Sequence, residues 1–159
     1  MEGSRGLGDV YKRQDIYFDL AKLYPQITFN LIHPLDFEHP KPPTNLIVHG
    51  FLLPSNKLFT EICSRSKISC FFSISEGFPG SVCDSVAHNL LPLVPKDLGL
   101  KFDNMFEYVS FDDMIKKFGL LYFNQNIYKT SSSLLNNWKE RNISIEVFRS
   151  DVNRFTIKF

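Results

Sequence analysis

Short apolar runs alternate with helical spacings along most of this chain. From Asp15 to Tyr24, Ile16, Phe18, Leu20, Ala21 and Leu23 fall where an amphipathic helix needs them, and Pro25 ends it. Ile27 to Ile32, with Phe29 and Leu31, reads as a strand running into the loop HPLDFEHPKPPT. NLIVH, Asn45 to His49, predicts a second strand closed by Gly50. Ser55 to Arg65 predicts a helix through Leu58, Phe59 and Ile62, with Ser55 as its N-cap. KISCFFS, Lys67 to Ser73, is nearly all apolar or small, as in a strand covered on both faces, and SEGFPG breaks it. Ser81 to His88 then predicts a helix and Leu90 to Val94 a strand. Further on, Phe106 to Val109 reads as a strand and Phe111 to Phe118 as a helix whose Asp112 and Asp113 suit its positive end. Two later helical segments are expected around Asn126 to Arg141 and Ile143 to Phe155. Strands alternating with helices in this way predict an α/β fold, a Rossmann-like doubly wound parallel sheet.

Composition narrows the classes. With 159 residues, 43% hydrophobic and 22% charged, the chain has the makings of one globular domain with a real core. Lys plus Arg number 18 against 17 for Asp plus Glu, so no general charge excess draws nucleic acid or an anionic membrane. No apolar run approaches the roughly 18 to 20 residues that span a bilayer. Cys63, Cys70 and Cys83 form no CxxC pair, which predicts reduced, packed thiols in a reducing, cytoplasmic compartment.

The first fourteen residues, MEGSRGLGDVYKRQ, carry three of the eight glycines and no hydrophobic period. RGLGDVYKRQ looks like a translated sequencing adaptor, so residues 1–14 are expected to be non-native and residues 15–159 to form the domain. Without that segment 15 basic and 15 acidic residues remain.

The segment richest in chemistry is SEGFPGSVCDSVAHNLLPLV, Ser75 to Val94. It reads as a strand end, a tight loop, a helix and the next strand. Gly77 and Gly80 let the backbone come close to a ligand, and Pro79 suits the helix entry. The free amides of Gly80, Ser81 and Val82 would face an anion such as phosphate. Asp84 lies about one turn into the helix, roughly 5 Å along its axis, and Glu76 lies in the loop before it. A carboxylate can accept two hydrogen bonds side by side, so this pair suits vicinal sugar hydroxyls next to a bound phosphate.

These residues resemble the donor-site motif of the retaining GT-B glycosyltransferases of family 4 (group 1). There a glutamate, seven residues and a second glutamate follow one another, and Glu76 and Asp84 have that spacing. SEGFPGSV is similar to the family's loop, DSVAHNLLPLV to its helix and next strand, and NLIVHGFL to the segment upstream. Asp84 is one methylene shorter than the usual second acid, and Asn89 stands where glycine is common. The family's basic residues near the domain start would fall where the adaptor-like segment begins.

The resemblance implies one half of a GT-B fold, with the N-terminal acceptor-binding domain missing upstream and the fragment inactive by itself. Glu76 would contact the donor sugar as the catalytic residue, Asp84 the ribose hydroxyls, and Gly77, Phe78, Pro79, Gly80 and Ser81 would surround the sugar phosphates. The donor would be a nucleotide diphosphate sugar, UDP- or GDP-linked, and the acceptor a glycan or lipid-linked molecule. Transfer would proceed with retention and without a metal or other cofactor. The location implied is cytoplasmic, with peripheral association at the inner face of a membrane left open.

Other side chains add less. His49, before Gly50 at a strand end, is a further donor-site candidate. His33, Asp36 and His39 lie in a proline-rich loop without metal-ligand spacing and read as solvated. His88 would face solvent or cap its helix, and Lys116 and Lys117 would form a solvated pair near a helix end. A phospho-receiver domain fits badly, because the strand from Lys67 offers no acceptor aspartate at its end. A non-catalytic nucleotide-sugar-binding or protein-interaction module remains the alternative.

Overall fold

The computed structural model describes residues 16–32, 39–72, 80–96 and 101–142. These form a mixed α/β structure whose described strands all pair in parallel. The chain divides into two compact units, Met1–Ile62 and Cys63–Phe159.

In the first unit residues 16–23 are helical (α1), and β1 (Phe29–Leu31) pairs with β2 (Leu46–Val48). The predicted stripe explains the packing. Phe18 and Ala21 of α1 meet Leu31 and Leu46, one from each strand, with Tyr17 and Phe29 packed against them. Asn45 ties the turn after α1 to the start of β2. Its side-chain amide donates to the carbonyls of Ala21, Tyr24 and Ile27 at 2.8, 3.0 and 2.9 Å. Helix α2 (Lys57–Ser64) follows. Its cap is Asn56 and not the expected Ser55, for the Asn56 side-chain oxygen accepts from the Leu58 amide at 2.9 Å. That acceptor one position before the first helical residue is where capping geometry requires it.

The second unit holds β3 (Ile68–Cys70), α3 (Gly80–Ala87), β4 (Leu91–Pro95), a 3-10 turn at Asn104–Phe106, β5 (Glu107–Tyr108), α4 (Phe111–Phe123) and α5 (Gln125–Asn142). Its sheet order is β3-β4-β5. Central β4 is covered on both faces, with Leu91, Leu93 and Val94 at 0% exposure, as its apolar run predicts. Strand β3 was expected to be covered likewise, but all three of its residues are only half-buried. It borders the described sheet on one side, so a ladder neighbour flanks it only at β4.

Two prolines sit in β4, and the register explains how. Leu91 donates to Lys67, just before β3, and Lys96, just after β4, to Tyr108 of β5, so odd positions face β3 and even positions β5. The nitrogen of Pro92 thus faces the β5 side, before β5 pairing begins at Val94. Pro95 faces β3 and has no N–H for the Phe71 carbonyl that comes next in the ladder. The Tyr108 hydroxyl donates to that carbonyl instead.

Helix α4 runs past the expected end at Phe118, through Gly119 to Phe123. Glycine reads as a stop, yet the buried stripe Met114, Phe118, Leu121 continues across it, and packing outweighs the roughly 1 kcal/mol propensity cost. Ser110 caps the helix through Asp113 N–H, and the Asp113 carboxylate accepts from Val109 N–H at 3.0 Å. Asn124 ends α4 and caps α5, its side chain accepting from Ile127 N–H at 3.1 Å. In α5, Ser131, Leu135 and Trp138 repeat the same spacing. Trp138 stacks on Phe102 with centroids 4.3 Å apart and donates to the Lys101 carbonyl.

Lys117 is not the solvated residue the sequence suggested. Its ammonium donates to the carbonyls of Asn104, at 2.9 Å, and Glu107, and pairs with Asp113 at 3.3 Å. It fastens the turn before β5 to α4. The expected strand start at Phe106 belongs to that 3-10 turn, and the expected helix from Ile143 lies outside the described residues. Among the described residues no helix is long and apolar enough to cross a membrane.

Candidate functional site

In the second unit β3, α3 and β4 form a crossover: β3 and β4 pair in parallel in the register Ile68 to Leu91 through Cys70 to Leu93, and α3 connects them. Helix α3 starts at Gly80, one residue before the expected start. Glu76, Gly77, Phe78 and Pro79 lie outside the described residues, and for Gly80 and Ser81 only the backbone is described. The structure therefore brings together Gly80, Ser81 and Asp84 on one short helix that follows β3. His49 belongs to the first unit, just past β2. There its Nε2 bonds the Asn30 side-chain oxygen at 2.8 Å and its backbone N–H donates to Leu31.

Asp84 is half-buried. Burial raises its carboxyl above the ordinary carboxylate range, and the charge of His88 opposes that rise. The His88 ring reaches back to the Asp84 main chain, with Nδ1 2.8 Å from the carbonyl oxygen. A carbonyl only accepts, so that nitrogen carries the proton. This is the helix-capping role expected of His88.

The thiols around Asp84 are quiet. Burial raises Cys63 and Cys83, and the negative charge of Asp84 raises both further. Cys70 is pushed up to about 12 by burial. Raised values favour the neutral thiol, the form of a cysteine that packs.

The end of α3 is closely specified. Leu90 N–H donates to Ser85 and Asn89 N–H to Val86, the paired bonds of a Schellman motif. Asn89 takes the left-handed conformation at φ 66°, which accounts for asparagine where glycine is common. Lys139 of α5 completes the end, its ammonium 3.2 Å from the Ala87 carbonyl and 3.1 Å from the Asn89 side-chain oxygen. Beneath the helix the Ser69 hydroxyl of β3 donates to the Ser85 hydroxyl at 2.9 Å, and Ser85 donates to the Val82 carbonyl at 2.8 Å.

Sequence reasoning missed Lys139, Ser69 and Ser85. Two serines sixteen positions apart and a lysine fifty positions from its partner have no shared local pattern. Of the histidine and aspartate group near residue 36, His39 is described, with Nδ1 2.7 Å from the Pro40 carbonyl and its ring edge-on to Phe18. Among the described residues no group of three metal-ligating side chains is gathered. A shallow, open depression of about 480 Å³ lies at the corner of α4 and α5, lined by Gly119, Leu120, Phe123 and Asn124 to Asn126. It includes none of the predicted site residues.

No protein-family model matches this chain, no curated protein matches it, and no solved structure matches it. The functional reading therefore rests on the motif and on the chemistry of α3.

Proposed function

We propose that the chain binds a nucleotide diphosphate sugar at the start of α3, as the donor-binding, Rossmann-like half of a GT-B glycosyltransferase. The observation that carries this reading is the parallel β3-α3-β4 crossover with Asp84 one turn into its helix. Ligands of open α/β sheets bind outside the carboxyl ends of the strands, where SEGFPG follows β3. The amides at the start of α3 suit the diphosphate, and the half-buried Asp84 carboxylate suits the ribose hydroxyls. Glu76 would hold the transferred sugar. In the whole enzyme, donors around the diphosphate would stabilise its departure while the acceptor oxygen attacks with retention.

Titration calorimetry of the 159-residue chain with UDP, GDP and their sugars tests this reading. Saturable binding weakened about tenfold or more by Glu76→Ala and by Asp84→Ala is expected, the scale of a lost hydrogen bond to a charged group. A folded wild-type chain that binds none of these ligands overturns the reading.

A further inference from the structure

Building on the proposed nucleotide site, we infer that the Ser69–Ser85 hydroxyl pair is a positioning device, setting the rotation of α3 on β3 and hence the direction of the Asp84 carboxylate. Val82 and Val86, at 3% and 0% exposure, hold the helix by apolar contact. Such contact is non-directional and specifies the rotation of the helix less sharply than a hydrogen bond. A hydroxyl pair is directional, because hydrogen bonds weaken steeply off their geometry. Ser85 is buried, at 5% exposure, and both ends of its bonding are fixed: Ser69 donates to it, and it donates to Val82. Asp84 is its immediate neighbour in sequence.

The lever is short. Side chains reach about 5–6 Å from a helix axis, so a turn of about 10° moves the carboxylate by about 1 Å. That is enough to spoil paired hydrogen bonds to two vicinal hydroxyls. The Lys139 contact with Ala87 and Asn89 fixes the far end of α3, α3 packs on β4, and the Ser69–Ser85 bond adds a directional contact to β3.

Threonine and valine have nearly the same shape and differ in the hydroxyl, so Ser69→Thr and Ser69→Val form the test pair. The probes are UDP, GDP and inorganic pyrophosphate, titrated into the full chain, together with the pH titration of the Asp84 carboxyl followed by NMR. Ser69→Thr should keep wild-type affinity. Ser69→Val should bind the nucleotides about tenfold more weakly, leave pyrophosphate binding unchanged, and shift the Asp84 titration. In an Asp84→Asn background it should have no further effect on nucleotide binding.

Equal affinities and equal Asp84 titrations in the two Ser69 variants would overturn the inference while leaving the nucleotide site standing. So would a parallel loss of pyrophosphate binding. A wild-type chain that binds no nucleotide overturns the site reading, and the Asp84 titration then still decides whether Ser69 orients that carboxylate. If Ser69→Val does not fold, Ser69→Ala replaces it, with the same outcomes.

Discussion

Strands β2 and β4 are both short apolar runs in parallel ladders, LIV against LPLVP, but their surroundings differ. In β4 Leu91, Leu93 and Val94 are sealed from solvent, flanked by β3 and β5. In β2 only Leu46 is buried, while Ile47 and Val48 are exposed at 45% and 36%. The paired strand β1 and helix α1 cover one side of that small sheet. Parallel sheets ordinarily need both faces covered. An identical local signal thus supports a core in one unit and a partly open surface in the other, and the candidate site is built on the covered one.

Truncating the two strands gives the largest contrast. Leu93→Ala should destabilise the second unit by about 2–5 kcal/mol in denaturant unfolding, whereas Ile47→Thr on the open face should stay within about 0.5 kcal/mol. Equal costs would break the comparison. Tyr108→Phe comes next. It strands the Phe71 carbonyl that Pro95 cannot serve, for about 1–3 kcal/mol, and hydrogen exchange should rise around the β3–β4 ladder.

Ser110→Ala, removing the α4 cap, should cost about 0.5–2 kcal/mol by the same unfolding measurement. Asp84→Asn is the smallest change in stability and has the opposite sign. Because burial raises the Asp84 carboxyl in the fold, its protonated form is favoured there, and wild-type stability falls as pH rises through that raised value. The amide variant lacks this dependence, so it should melt higher than wild type at pH 7 and lose that advantage in acid. Its nucleotide affinity should fall meanwhile. Asp113 runs the other way. Val109 N–H, foremost, and Lys117 lower its carboxyl, so its contribution persists at neutral pH and fades only below the ordinary carboxylate range. Melting curves of Asp113→Asn against wild type should converge there.

The elements were legible because each carries a local period. Phe18 and Ala21 mark one helix face, with Leu23 off it and exposed, Met114 and Phe118 mark another, and β4 reads as an unbroken apolar run. Misreadings fell where local signals compete with packing. The helix expected to end at Phe118 runs on because Leu121 continues the stripe, and Ser55 looked like a cap one residue too early. At the site, the helix that carries Asp84 and the asparagine at its end were readable from adjacent residues.

Sequence by itself determined which segments become strands and helices, where α3 ends, and which carboxylate rides on it, because backbone preference and side-chain period act over a few residues. Tertiary structure alone decided that Tyr108 would repair the gap left by Pro95, that Lys139 would close α3, and that Ser69 would meet Ser85. Those contacts join positions 16 to 52 residues apart. They exist only after the parallel crossover has brought strand, helix and α5 together, and no local rule encodes that meeting.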